Sequence, residues 1–450
     1  MALAIVLALL VLGSILFHFL SPWWFTPIAS NWRMIDDTVS ITFWVAGLVF
    51  AAVNLFMAYC IIRYRYRAGN RAHYEPENKK LEWWLIGLTT IGIVAMLAPG
   101  LLVWAQFVNP PADALVIEVV GQQWRWSYRF PGRDGALGAV DTRHISATNP
   151  FGISSDDPAG QDDLVIDNPV LHLPLGKPVK VLLRSKDVIH DFDVPQFRVK
   201  MDMVPGQVTY FWLTPTRIGT FDVLCQELCG IAHFAMRGLV VVEPVAAFQT
   251  WLDRQPTFAQ SQQMIAGDAA AGQIKYTVCS ACHGAQGQGD IAQHAPKLSG
   301  QTGAYLQRQL QYFKTEMRGV HALDIYGQQM APMAATLTDS AAINDVVAYI
   351  GTLPDTPAAA TLMGDAEHGK ALYTTCAVCH GLRGQGNPGQ GAPRLAGMSD
   401  WYMGTQLNNF KGGVRGVHPA DSYGSQMRFM AATLNDEQAI DDLLAYVNTL

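Results

Sequence analysis

Residues 267–353 recur at 364–450, shifted by 97 positions without a gap. GDAAAG matches GDAEHG, CSACHG matches CAVCHG, APKLSG matches APRLAG, and YGQQMAPMAATL matches YGSQMRFMAATL. VVAYIGTL likewise matches LLAYVNTL. A gapless duplication obliges this part of the chain to fold as two copies of one module, joined by the Pro/Ala stretch 354–363. Each copy carries C-x-x-C-H: Cys279, Cys282 and His283 in the first, Cys376, Cys379 and His380 in the second. That spacing is the attachment signature of c-type haem, in which two thiols bond the vinyl groups and the histidine supplies one axial ligand. A lone C-x-x-C-H also serves redox dithiols and half zinc sites. Two copies, each with a C-terminal helical pattern and a late methionine, point instead to two covalent haem c groups.

The residue opposite each histidine is ambiguous from the pattern alone. Met330 competes with Met333, and Met427 with Met430. His321 and His418 also repeat, in RGVH, and a second imidazole would lower the haem potential. Met/His ligation raises it instead. Over both copies the tail resembles class I cytochrome c, especially the two-haem c4 type. The resemblance implies all-α modules with Met330 and Met427 as sixth ligands. It also implies a contact between terminal helices at Gly272, Tyr276 and Tyr349, and at Gly369, Tyr373 and Tyr446.

The other end of the chain is apolar. Residues 2–20, 41–62 and 83–107 hold no charge, and each run is long enough to span a bilayer as a helix. The loop between the second and third carries Arg63, Arg65, Arg67, Arg71, Lys79 and Lys80, so the positive-inside rule puts it in the cytoplasm and everything after about residue 108 outside. A signal peptide is the rival for the first run, but a basic n-region and a small-residue cleavage site are missing. SPWW (21–24) reads as an interfacial aromatic belt of a retained helix. Charged residues make up 15% of the chain and the formal charge is −6, which excludes a nucleic-acid binder. Glu82 stands at the edge of the third run. It is either a helix-start acid favoured by the macrodipole or a proton-uptake carboxylate.

Between these parts, residues 109–248 alternate in short apolar runs punctuated by Pro and Gly. LVIEVV, WRWSYRF, VLHLPL, VKVLLRS, VTYFWL, GTFDVL and RGLVVVEP read as strands of a β-sandwich or barrel. Trp124, Trp126, Tyr128 and Phe130 alternate as one apolar strand face would. The stretch ends on Cys225-Gln-Glu-Leu-Cys229-Gly-Ile-Ala-His233-Phe-Ala-Met236, with His190 upstream. A closed Cys₂His₂ zinc site would leave Met236 without a use. Two thiolates, two imidazoles and a thioether are a soft set that favours copper. Two cysteines further suggest two coppers bridged by both sulfurs, a centre suited to fast electron transfer.

CxExCGxxHxxM, the upstream His190 stretch through VKMDMVPG, GQQWRWSY and LEWW resemble subunit II of the haem-copper cytochrome c oxidases, over about residues 36–245. The resemblance implies a cupredoxin fold and a binuclear CuA centre. Its ligands would be His190, Cys225, the backbone carbonyl of Glu227, Cys229, His233 and Met236. The Glu227 carboxylate would reach a magnesium ion shared with subunit I. Trp124 would carry electrons toward CuA, and Glu82 would stand near a proton pathway. No residue of this chain would itself reduce oxygen.

The expectation is a multidomain electron wire: membrane helices in 1–108, a cupredoxin domain at 109–248, and cytochrome modules at 267–353 and 364–450. A periplasmic cytochrome c or a quinol-oxidising complex would supply electrons, and subunits I and III would be partners in a bacterial plasma membrane. Rivals are a CuA-containing nitric oxide reductase subunit and a membrane-tethered electron-carrier module. A quinol oxidase subunit would not keep all the copper ligands.

Overall fold

The computed structural model describes residues 1–450 apart from 22–25, 72–73, 147, 167 and 264–266, so most of the SPWW belt lies outside the described residues. Three helices, α1 (Ala2–Leu20), α2 (Arg33–Arg63) and α3 (Lys79–Phe107), are each long and apolar enough to cross a membrane. They leave Leu48, Phe56, Ile86 and Ile91 exposed, as helices facing lipid rather than water would. α2 and α3 start before their charge-free runs. Asn78 caps α3, its side-chain oxygen accepting the Leu81 N–H at 3.1 Å. The first turn of α2 holds Asp36, which pairs with Arg198 of the β domain at 2.6 Å.

The β domain runs β1 (Leu115–Gln122), β2 (Arg125–Phe130), a four-residue α4 (Pro158–Gln161), then β3 (Leu164–Ile166), β4 (Val170–Pro174) and β5 (Val179–Ser185). It continues through β6 (His190–Val194), β7 (Val199–Met203), β8 (Thr209–Leu213), β9 (Gly219–Cys225) and β10 (Arg237–Glu243). Two five-stranded sheets result, ordered β3-β2-β1-β5-β8 and β4-β10-β9-β6-β7. Their inner faces bury Trp126, Tyr128, Phe130, Phe192, Phe211, Leu171 and Val240, the alternate positions that a two-layer sandwich requires. The sequence reading missed β3, β6 and β7, whose short runs are broken by aspartates such as Asp191, Asp193 and Asp202. It also put Trp124 on a strand face. In the structure β1 ends at Gln122 and β2 begins at Arg125, so Trp124 sits in the connecting turn.

The edge strand β8 is tied to the membrane hairpin. Trp212 Nε1 donates to Gln106 O at 2.9 Å, and Tyr210 Oη donates to Val108 O at 2.9 Å. Trp32, fully buried, packs on Phe107 and Trp212 with ring centres 5.1 and 4.9 Å away and donates its Nε1–H to Trp212 O. These contacts cover the exposed edge of a sheet and fix the β domain against its anchor.

Two short helices, α5 (Val245–Leu252) and α6 (Phe258–Gln263), lead to the duplicated tail. The first module is α7 (Ala269–His283), α8 (Gly303–Lys314), α9 (Ile325–Ala335) and α10 (Ser340–Ile350). The second is α11 (Ala366–His380), α12 (Asp400–Lys411), α13 (Ser422–Ala431) and α14 (Glu437–Val447). In each, the first and last helices cross at a glycine. A Cβ on Gly272 or Gly369 would overlap the backbone carbonyl of Asp345 or Asp442. Tyr276 meets Tyr349 at 5.3 Å beside the first crossing, and Tyr373 meets Tyr446 at 5.4 Å beside the second. Asp268 and Asp365 cap α7 and α11, setting the start of the helix whose last turn carries C-x-x-C-H.

Candidate metal centre and haem sites

The β-domain site is assembled from three places. β6 begins at His190, β9 ends at Cys225, and the loop between β9 and β10 brings Cys229, His233 and Met236. Pairing of β6 with β9, with Phe192 opposite Cys225, sets His190 beside the loop. The two sulfurs lie 3.8 Å apart, far beyond a disulfide bond and close enough to share metal ions. Cys225 Sγ is 4.0 Å from His190 Nδ1 and 3.3 Å from the Glu227 carbonyl oxygen. Cys229 Sγ is 3.5 Å from His233 Nδ1 and 3.8 Å from Met236 Sδ. All six residues singled out in the sequence therefore converge, each sulfur with its own imidazole.

The surroundings prepare the donors. The S–H shared between the sulfurs, aided by His190, holds one thiol of the pair, Cys225, well below the usual range, and keeps the proton on Cys229. His190 is buried, which opposes charge, but the Asp187 carboxylate and Cys225 outweigh that and raise its pKa. Asp187 Oδ1 meets His190 Nε2 at 2.8 Å and so fixes the ring with Nδ1 toward the sulfurs. Sequence reasoning missed Asp187; its signal was a carboxylate three residues before the histidine. Gly230, at φ +122°, lets the loop approach so closely that a Cβ there would meet Gln123 Nε2 at 2.8 Å and the Trp124 ring at 3.0 Å. Trp124 itself is buried and donates its Nε1–H to Cys229 O at 3.1 Å. Glu227 is half-buried, and Glu82 is exposed in the first turn of α3, away from this cluster in the chain's β domain.

In the tail, a cavity of about 680 Å³ reaches both C-x-x-C-H motifs. Its lining includes Met330, Met333, Met427 and Met430, so both methionines of each pair reach the same space. His283 Nδ1 donates to Pro296 O and His380 Nδ1 to Pro393 O, each at 2.8 Å. Both imidazoles are thereby left with a free Nε2 lone pair, and burial lowers both pKa values, which keeps them neutral. The two prolines are the repeated ones of APKL and APRL.

Between the modules lies a pseudo-symmetric set of cations. Arg318 binds Gln309 of its own module at 2.9 Å and Gln406 of the other at 3.0 Å. Arg415 binds Gln406 at 2.8 Å and Gln309 at 2.6 Å. Both guanidiniums are buried, and both Nε atoms lack a hydrogen-bond partner among the described residues. Both arginines line the shared cavity. Buried cations with unused donors suit a group that carries carboxylates, as haem does in its propionates. The donor set therefore fits two haems, with Cys279, Cys282 and His283, and Cys376, Cys379 and His380, positioned to attach them. These arginines were visible in sequence only as the repeated RGVH.

A family profile described as cytochrome C oxidase subunit II, periplasmic domain, matches residues 115–245, and one described as cytochrome c matches 269–354 and 366–450. The alternative cytochrome c oxidase subunit 2 of Bradyrhizobium diazoefficiens is 63% identical over 259 residues, 58% of this chain and 94% of that protein. The chain belongs to the cytochrome c oxidase subunit II family. Among solved structures, this subunit II is similar to reduced cytochrome c4 from Pseudomonas stutzeri, at 30% identity over 41% of this chain and 100% of that one, with a TM-score of 0.34. It is also similar to the periplasmic domain of subunit II of cytochrome oxidase from Bradyrhizobium japonicum, at 28% identity over 32% of this chain and 95% of that one, TM-score 0.24. A subunit II of this kind is an oxidase component that works in electron transfer, and here it also carries cytochrome c domains.

Proposed function

We propose that this chain is the electron-input subunit of a proton-translocating haem-copper cytochrome c oxidase, with its donor cytochrome fused on as a dihaem tail. The observation that carries the reading is the pair of buried sulfurs 3.8 Å apart, flanked by two imidazoles, a thioether and a carbonyl oxygen. His190, Cys225, Glu227 through its carbonyl, Cys229, His233 and Met236 would hold two copper ions. Cys279, Cys282, His283 and Met330 would hold one haem c, and Cys376, Cys379, His380 and Met427 the other. Such centres, when bound, each take up and release single electrons with little change of geometry. The protein's part is to keep the donors rigid, dry and close together.

Electrons from a periplasmic cytochrome c or a quinol-oxidising complex would reach the tail, then the β domain, then the oxygen-reducing subunit I, with subunit III as a further partner. The Glu227 carboxylate would share a magnesium ion with subunit I. Fusion places the donor module at an effective concentration of about millimolar, without a diffusional encounter. The three apolar helices would make the protein multi-pass in the bacterial plasma membrane, with loop 63–80 cytoplasmic and the metal-bearing parts periplasmic. Glu82 would then lie on the cytoplasmic side, where protons for oxygen reduction are taken up.

Metal analysis and a haem assay on the detergent-purified full chain test the reading. Two copper ions and two acid-stable haems per chain are expected. Zinc in place of copper, or a single covalent haem, would overturn it.

A further inference from the structure

The two cytochrome modules carry the same motifs, but they do not stand in the same relation to the β domain. α13 of the second module lies against the turn His233–Ala235, which bears one of the imidazoles of the metal centre. Phe429 of α13 meets Phe234 edge to face, ring centres 5.6 Å apart. Gln426 donates its side-chain N–H to the Trp124 carbonyl, and Trp124 in turn donates to Cys229 O at 3.1 Å. Two hydrogen bonds thus run from the second module to the backbone of a candidate copper ligand. Around them, Arg125 binds the Tyr423 hydroxyl, and Gln122 Nε2 donates to Gly389 O at 3.0 Å. Cys379, Phe429 and Met430 pack onto the β-domain core.

The repeat supplies an internal control. Cys282, the counterpart of Cys379, is exposed, and Met333, the counterpart of Met430, is 40% exposed. In the second module the same edge is half-buried against the β domain. Trp124 and Ala232, which line the cavity running to Cys376 and Cys379, are 3% and 2% exposed. A soluble carrier cannot reach them while the second module is seated there.

We infer that the second module is the direct donor to the metal centre and is its permanent cap, so that an external one-electron carrier delivers to the first module. The Phe234–Phe429 contact and the Gln426–Trp124–Cys229 hydrogen bonds are the junction. This rests on the reading above of copper in the β domain and haem in the tail. Each transfer moves one electron from a reduced c-type cytochrome, which is oxidised by one unit, to the copper pair, which is reduced by one. No proton moves and no bond breaks.

Stopped-flow mixing of the full chain in its membrane complex with a pre-reduced soluble cytochrome c tests the order. The haem and copper absorption bands are read separately. The double substitution Phe429→Ala with Gln426→Ala should slow copper reduction at least about 10-fold, while reduction of the tail haems keeps its wild-type rate. Copper reduced at the wild-type rate in that variant would overturn the junction. A second variant, Cys279→Ala with Cys282→Ala, removes the haem of the first module. It should lose rapid delivery from cytochrome c, yet still pass electrons to copper when a small ruthenium hexaammine reductant is used. Undiminished delivery from cytochrome c in this variant would overturn the order. Wrong copper or haem content, measured first on the same samples, would instead remove the underlying reading.

Discussion

One ring nitrogen decides what each C-x-x-C-H histidine can do. With Nδ1 donating to a proline carbonyl, His283 and His380 are neutral and present Nε2 to the cavity. The opposite ligand is a choice between methionines one helical turn apart on α9 and α13. All four methionines line the cavity, but Met430 also packs on the β-domain core and Met333 is 40% exposed, which favours Met330 and Met427 as the proposed ligands. Met330→Ala and Met427→Ala should each abolish one sulfur-to-iron absorption band and lower one haem potential. Met333→Ala and Met430→Ala should leave the bands intact. A redox titration with spectral readout separates the outcomes, and the reverse pattern would exchange the ligands within each pair.

Among the elements, the first turn of α3 and the crossing of terminal helices each carry a prediction. Glu82 lies in that first turn beside the exposed Trp83 and Trp84. As a proton-uptake acid it makes Glu82→Gln slow in steady-state turnover per copper centre, with copper reduction unchanged. As a macrodipole partner alone it is worth about 0.3–1 kcal/mol, and turnover per assembled enzyme stays normal. The crossings differ in how they are clamped. In the first module Lys275 pairs with Asp345 at 2.9 Å, and in the second His368 pairs with Asp442 at 2.7 Å. The Asp442 carboxylate raises the His368 pKa above its ordinary 6.5, with Asp365 and Asp436 adding to it. That contribution is complete below 6.5 and is lost as the pH rises through the folded value. The His368 contact holds Asp442 down at about 2, so its contribution is present above 3.8 and is lost as the pH falls toward 2. The second crossing is therefore tightest between about pH 4 and 6.5. Hydrogen exchange should show α11 and α14 losing protection above that window, while α7 and α10, held by a lysine, do not. His368→Lys should remove the difference; equal behaviour of both modules in the parent chain would refute the clamp.

At the scale of the whole molecule, the arginine pair joins the two modules electrically. Arg318 and Arg415 each bind a glutamine of both modules, so neither charge belongs to one haem site alone. Removing a buried cation favours the more positive, oxidised iron. Arg318→Met and Arg415→Met should therefore each lower the potentials of both haems. Spectroelectrochemical titration of the intact chain checks this. A shift confined to one haem per substitution would mean that each guanidinium serves its own module only.

The sequence alone determined the features that depend on neighbours along the chain. Haem attachment needs two thiols and an imidazole within five residues, the copper loop packs five of its six donors into twelve, and a membrane helix is one apolar run. The duplication was equally plain because it is a comparison of letters. Tertiary structure decided what rests on contacts between distant segments. His190 joins the loop through strand pairing, its orientation comes from Asp187, and Trp124 is moved from an expected strand face to a turn by where β1 and β2 end. The order of the modules is the clearest case. Cys282 and Cys379 occupy identical motifs, so no local pattern tells them apart; one is exposed and the other covered because α13 meets the turn at His233 almost two hundred residues earlier in the chain. Local chemistry is written in spacing, whereas which of two equal copies faces the metal is settled only by how separate surfaces pack.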